Sequence, residues 1–375
     1  MARKKSKEAR INALVKKTKV VFHDCLMPNG CLVAAPTHMP YYPHQAKNYL
    51  YCWPGRDLGF TVTAGLDIGI DVFEDVLAWI WARAEDYRSS LSPWKEGLLF
   101  ENYHPNGRMQ ETDFQPDQTG TLLWAIYEYG KDHDLSPLAK KIVEKSTKGL
   151  VGVWAGDQFK TTIEDLWEER IAHPRFQNNL TYALAACAAG LERANDIVPN
   201  RRAKTVAKQM RSLIEKEAYD ERVGYFTRRF GGPISYHKII DASMLGLIWP
   251  FAVVAADDPR MAQTVDAIEA KITDGLGLYR YQFDHYEGEI EGSHVHYKMG
   301  AGAWPLLTFW MSIVQSKMGN RKEAEEYFWL VLDQLGTDLL IPEQIFPKGD
   351  PRVGVKPLLW SHAMFVHAAK ELGYI

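Results

Sequence analysis

Two glutamates stand where ordinary surface chemistry gives them little reason to be. Glu168 lies in Asp-Leu-Trp-Glu-Glu-Arg (165–170), between Trp167 and a second carboxylate, Glu169. Adjacent carboxylates repel, and a solvated helix face spaces its charges instead. Glu343 lies in Leu-Leu-Ile-Pro-Glu-Gln-Ile-Phe (339–346), flanked by apolar residues and a proline. A carboxylate in such surroundings is costly unless it is paired or functional. Taken singly, each reads most simply as a solvated glutamate. Facing each other across a pocket, they would form the pair that glycosidic cleavage demands. One carboxyl must be protonated to release the leaving oxygen, and the other ionised to activate water or attack carbon.

A third stretch, Asn-Tyr-Leu-Tyr-Cys-Trp-Pro-Gly-Arg-Asp (48–57), precedes an apolar segment. Arg56 and Asp57 read equally well as helix-start residues, since Asp is favoured there, and as a clamp on sugar hydroxyls. Tyr49, Tyr51 and Trp53 would then pack on the apolar ring faces. The chain is rich in such residues, with 12 Trp and 18 Tyr among 375 residues. A large core accounts for about half of that usage, and sugar-stacking surfaces are the other reading.

These residues need elements to position them, and the apolar periodicity supplies helices in pairs. The pairs fall at 57–68 with 70–88, 118–133 with 136–153, 178–197 with 201–217, 241–255 with 258–272, and 298–317 with 320–335. A last helix spans 357–372, and the segment 6–18 is its expected partner. Pair starts recur at about sixty residues, the mark of a repeat architecture. Several of these helices are apolar on nearly every side and so are expected inside. Six pairs closing on themselves make an all-α (α/α)6 barrel. Residues 1–44 are expected to form an N-terminal extension packing on it, and 45–375 the barrel itself. Long connections at 19–56, 88–117, 154–177, 218–240, 273–297 and 336–356 carry the polar and aromatic motifs. In a toroid they gather at one end, where long loops are usually functional.

Composition removes several classes. A net charge of -3 gives no general attraction to nucleic acid or anionic membrane. The basic start lacks the apolar region of a signal peptide, and no run approaches transmembrane length. Cys25, Cys31, Cys52 and Cys187 show no CxxC pairing, so a cytoplasmic protein with reduced thiols is expected. No cofactor or metal is expected; His294 and His296 form a lone HxH, most simply a solvated loop. Facing histidines would suit a sugar epimerase. A phosphorylase of the same architecture would set phosphate where Glu343 stands, and the carboxylate would repel it. A non-catalytic glycan-binding protein would not need both carboxylates. Oligomeric state is not written in the sequence.

The motifs resemble glycoside hydrolase family 15, the glucoamylase family, over about residues 45–375. Asp-Leu-Trp-Glu-Glu-Arg resembles its general-acid segment, and Trp-Pro-Gly-Arg-Asp (53–57) its W-x-R-D motif. Gln-Pro-Asp-Gln-Thr-Gly (115–120) resembles its Q-x-D-x-x-G segment, and Asp-Ala-Ser-Met-Leu-Gly-Leu (241–247) a D-A-S-L-L-G stretch. Tyr-Arg-Tyr-Gln-Phe-Asp (279–284) is similar to R-Y-x-x-D. Pro-Glu-Gln-Ile-Phe (342–346) and Pro-Leu-Leu-Trp-Ser-His-Ala-Met-Phe (357–365) resemble the base loop and the closing helix. The family's fold is also an (α/α)6 barrel. The resemblance implies Glu168 as general acid and Glu343 as general base of an inverting mechanism, with carboxyls roughly 6.5–9.5 Å apart. It implies that Arg56, Asp57 and Arg280 hold the terminal glucose, and that Tyr49 lies near the reacting carbon. Trp53, Trp167, Glu169, Asp284 and Trp304 complete the implied substrate-binding set.

The implied activity is exo-hydrolysis of a small α-gluco-oligosaccharide, such as a malto- or isomalto-oligosaccharide, to β-glucose. A trehalase of the same family is the alternative. Two residues separate Trp53 from Arg56 where the family motif has one. No N-terminal β-sandwich or starch-binding module is expected, which favours short soluble substrates.

Overall fold

The computed structural model describes residues 2–89, 96–111, 113–232, 238–286 and 300–375. His294 and His296 lie outside the described residues, as does most of the segment 285–297. The described helices are α1 (Ala2–Cys25), α2 (Arg56–Asp67), α3 (Phe73–Arg83), α4 (Glu85–Ser89), α5 (Pro116–Tyr129) and α6 (Pro137–Val153). They continue with α7 (Thr181–Ile197), α8 (Arg201–Leu213), α9 (Pro259–Ile272), α10 (Pro305–Lys317), α11 (Arg321–Gln334) and α12 (Leu359–Glu371).

Burial sorts them into two rings. In α5, α7 and α10 long unbroken runs are buried, such as Thr181–Leu191 and Pro305–Gln315. Helices apolar all round must be enclosed. The outer helices bury one stripe: Ile142, Val143 and Leu150 in α6, or Ala203, Val206, Ala207 and Met210 in α8. Their starts are capped by side chains of Ser136, Asn200 and Asp258, with Pro137 and Pro259 at the first helical position. Inside, α2 packs on α5, α5 on α7, α10 on α12, and α12 back on α2. The α5–α7 crossing is closest at Gly120 and Gly190; a Cβ on Gly190 would lie 2.3 Å from the Gly120 carbonyl oxygen.

The 3₁₀ turn Ala242–Leu247 closes the inner ring between α7 and α10. This corrects the expectation of an α-helix over 241–255. Pro250 follows Trp249, offers no N–H, and cannot continue a helix. Arg193 and Arg211 take up the carbonyls of Pro250, Phe251, Ala252 and Val253 instead. The segment 70–88 is likewise two helices, broken at extended Ala84, after which the Glu85 N–H donates to Gly107 O at 3.1 Å. The N-terminal helix is longer than 6–18, because its buried face continues through Val21, Phe22 and Cys25. It packs on α12, where His362 bonds Thr18 Oγ1 at 2.9 Å and accepts the Ile341 N–H at 3.0 Å.

An aromatic layer crosses the ring interior. Phe60 lies 5.4 Å from Trp124, 5.7 Å from Trp249, 5.5 Å from Trp310 and 5.4 Å from Trp360, ring centroid to centroid. No helix among the described residues is long and apolar enough to cross a membrane.

Candidate active site

A pocket opens at the N-terminal ends of the inner helices, with about 500 Å³ of empty space including its mouth. Tyr49, Trp53, Arg56, Asp57, Trp167, Glu168, Arg280, Trp304 and Glu343 line it, so nine of the sequence-derived candidates converge from five separate segments. Ala34, Leu166, Tyr286, Leu358 and Trp360 complete the wall.

The first wall is built by α5. Gln118, fully buried, accepts the N–H groups of Gly55 and Arg56 on one oxygen, at 3.0 and 2.8 Å. It thus does for α2 what a cap residue would do, and α2 has no side-chain cap of its own. Position 55 must be glycine, because a Cβ there would lie 1.7 Å from Gln118 O. The extra residue between Trp53 and Arg56 is therefore fitted to the adjacent helix, and Trp53 still reaches the pocket. Its Nε1 donates to Glu168 Oε1 at 2.7 Å.

Arg56 is almost fully buried. It donates to Leu166 O at 2.8 Å, Gln115 Oε1 at 3.1 Å and Asp57 Oδ1 at 3.1 Å, and approaches Glu168 Oε1 at 3.4 Å. Burial opposes its charge, but Asp57, Asp117 and Glu168 more than offset that, so its pKa is raised. Burial pushes Asp57 up to about 6, and Arg56 works against that rise.

Glu168 sits at φ +63°, in the left-handed region. Non-glycine residues hold such a conformation only where their surroundings fix it. The turn is fixed by Asp165, whose Oδ1 accepts the N–H groups of Trp167, Glu169 and Arg170 at 3.2–3.3 Å. Arg228 Nε donates to the other Asp165 oxygen at 2.6 Å and lies 3.3 Å from Asp241. Asp241 in turn accepts the Trp167 indole N–H at 3.1 Å. The Asp-Ala-Ser stretch thus anchors the Trp-Glu-Glu turn from across the ring.

Glu169 and Asp284 do not line the pocket. Both hold Arg280: Asp284 takes a bidentate pair at 2.8 Å each, and Glu169 accepts at 2.7 Å while also accepting from the Tyr281 hydroxyl. Glu169 is thus held by Arg280 and Tyr281, and one guanidinium is shared between two carboxylates. The guanidinium lies 4.5 Å from the Tyr286 ring centre and 5.2 Å from that of Trp304.

Glu343 is 3 % exposed, and its N–H donates to Val355 O at 2.9 Å. The paired backbones of Ala303 and Ile345 tie its loop to the approach to α10. Tyr49 bonds the Tyr286 hydroxyl at 2.5 Å. Burial first, then the Glu343 charge, raises the Tyr49 pKa.

Sequence reasoning did not single out Gln115, Gln118, Asp165, Arg228, Tyr286 or Trp360. Gln115, Gln118 and Trp360 lie inside motifs that were visible; nothing local marks Arg228, whose partners are 63 and 13 residues away.

Comparisons with known proteins bear on the family and the fold. An uncharacterised glycosyl hydrolase of Methanocaldococcus jannaschii is 29 % identical, over 90 % of this chain and 52 % of its own. A trehalase of Mycolicibacterium smegmatis is 26 % identical, covering 91 % and 52 %. The chain spans about half the length of these two curated relatives. An isomaltose glucohydrolase of Kribbella flavida is 24 % identical, covering 98 % and 94 %. A solved glycosidase superposes with a TM-score of 0.77 at 22 % identity, over 99 % of both chains. The sequence model of the glycosyl hydrolases family 15 matches residues 13–370, and the chain belongs to that family.

Proposed function

We propose that the protein is an inverting exo-acting α-glucosidase that removes β-glucose from the non-reducing end of a short α-glucoside. The observation that carries this reading is the meeting of Glu168 and Glu343, from different loops, in one pocket whose wall also holds Arg56, Asp57 and Arg280. The terminal glucose lies against Arg56 and Asp57, with its apolar faces on Trp53 and Trp304. The indole N–H groups of Trp304 and Trp360 are buried without a hydrogen-bond partner among the described residues, and sugar hydroxyls would supply one. Glu168 gives its proton to the glycosidic oxygen as the C1–O bond breaks. Glu343 takes a proton from the water whose oxygen bonds to C1 from the opposite face. Charge developing at C1 is met by nearby carboxylates already in place.

Malto- and isomalto-oligosaccharides are the first substrates to consider. Trehalose is the second, because the relatives include both an isomaltose glucohydrolase and a trehalase. Proton NMR on fresh protein with maltose, maltotriose, isomaltose and trehalose in separate phosphate-free tubes tests the reading. Early β-glucose from one of them is expected, and its identity names the linkage. Glucose appearing first as the α-anomer would overturn the roles of Glu168 and Glu343, and turnover only with added phosphate would replace hydrolysis by phosphorolysis.

A further inference from the structure

The loop that carries Glu343 is tied to the N-terminal helix through one imidazole. His362 lies on the buried face of α12, and it, Thr18 and Ile341 are all closed to solvent. The Ile341 N–H donates to His362 Nε2 at 3.0 Å, and the Ile341 carbonyl accepts the Leu358 N–H at 3.0 Å. Both backbone groups of Ile341 are thus taken up at the start of α12, two residues before Glu343. Pro342 between them has no N–H to hold, and the Glu343 N–H goes to Val355 O at 2.9 Å.

These contacts also fix where the ring proton sits. A nitrogen that accepts an N–H must offer its lone pair, so Nε2 is bare and the proton is on Nδ1. Nδ1–H then donates to Thr18 Oγ1, on α1, at 2.9 Å. An imidazolium could not make the Ile341 bond. Burial, with the Lys17 charge adding to it, holds the His362 pKa down to about 3, so the ring stays neutral. A buried backbone N–H must find an acceptor. For Ile341 that acceptor is a side chain whose own orientation is set by a helix 344 residues earlier in the chain.

We propose that His362 is a positioning residue for Glu343: its ring, turned by Thr18, fixes Ile341 and through it the place of the base. Two residues span at most about 7 Å, so a shift at Ile341 reaches Glu343 with little slack. The base must meet a water held against C1, and a misplacement of about 1 Å there lowers the rate far more than it weakens sugar binding. No residue of α1 lines the pocket, yet α1 thereby bears on the chemistry done in it. The inference rests on the reading of Glu343 as the base.

The test is kcat and KM on whichever disaccharide is turned over, well below the unfolding midpoints, for wild type, His362→Gln, His362→Asn, Thr18→Val and Glu343→Gln. Glutamine sets its amide near the place of Nε2, and asparagine near that of Nδ1. His362→Gln keeps an acceptor for Ile341, so its kcat is expected within about threefold of wild type. His362→Asn keeps the bond to Thr18 and loses that to Ile341, so kcat is expected to fall about tenfold with KM within about twofold. Thr18→Val frees the ring to turn, and kcat is expected to fall about threefold. α-Glucosyl fluoride has a leaving group that needs little proton assistance, but water must still be activated. Its turnover by His362→Asn should therefore fall as far as that of the disaccharide. If His362→Asn lowers only the unfolding midpoint and keeps kcat, the contact is structural and the proposal fails. It fails equally if that variant spares the fluoride, or if His362→Gln loses as much as His362→Asn. Thr18→Val at the wild-type kcat would strike α1 from it. Should Glu343→Gln hydrolyse the disaccharide at the wild-type rate, the assignment of Glu343 itself falls, whatever the His362 variants do.

Discussion

The two ends of the barrel are made from the same helices, yet they hold charge in opposite ways. At the end where α2, α5, α10 and α12 begin, the ion pairs are buried. Arg56 faces Asp57 and Asp117, Arg228 faces Asp165 and Asp241, and Arg280 is gripped by Asp284 and Glu169. Where those helices end, a wider depression is lined by Asp67, Glu128, Lys131, His133, Trp249 and Lys370. Its charges pair at the surface: the Lys370 side chain, bonded to Asp67, is 61 % exposed, and that of Lys131, bonded to Glu128, is 50 % exposed. Concavity and polarity are therefore poor markers of the site, since the broader polar hollow lies at the other end. The better marker is charge kept out of water at a cost that packing alone would not require. Four helix N-termini at the pocket end ease that cost, because their dipoles favour negative charge there.

Breaking the comparison begins with the largest effect. Replacing Glu343 or Glu168 by Gln should lower kcat by about 10³-fold or more with the fold intact, measured by steady-state turnover beside circular dichroism. Next comes Arg228→Ala, which leaves Asp165 and Asp241 buried without their cation. A loss of about 3–5 kcal/mol in unfolding free energy is expected from denaturant titration. Gly55→Ala forces a methyl group onto the Gln118 backbone, and should cost about 1–3 kcal/mol while weakening substrate binding through displaced Trp53 and Arg56. Smallest of all is Lys370→Ala at the opposite end, expected to change stability by less than about 1 kcal/mol and kcat not at all. A Lys370 effect as large as that of Arg228 would erase the distinction between the two ends.

The barrel was legible because burial leaves a signature in each helix. The unbroken apolar run of α7 and the single stripe of α8 already say which lies inside. The 3₁₀ turn at Ala242–Leu247 was not, because its apolar residues fit a helix until Pro250 is weighed against them. Local sequence also places Glu168 and Glu343 in unusual company, and both reach the pocket. Glu169 and Asp284 turn their oxygens to Arg280, and so bear on the pocket through it. The i,i+4 spacing of Arg280 and Asp284 hinted at that pairing. Gln118 acts on a partner 63 residues away in the chain, and such a contact exists only once the ring has closed.

The aromatic layer around Phe60 has a further consequence. Trp360 lines the pocket on one side of it, while Trp124 and Trp249 line the depression on the other, so among the described residues the layer floors the pocket and closes it toward the depression. Whatever rests on its floor entered end first and leaves by the way it came. If one molecule is divided inside, the outer fragment must depart before the inner one. The order of release is then set by topology and not by relative affinity, and a crowded exterior holds the inner fragment in place.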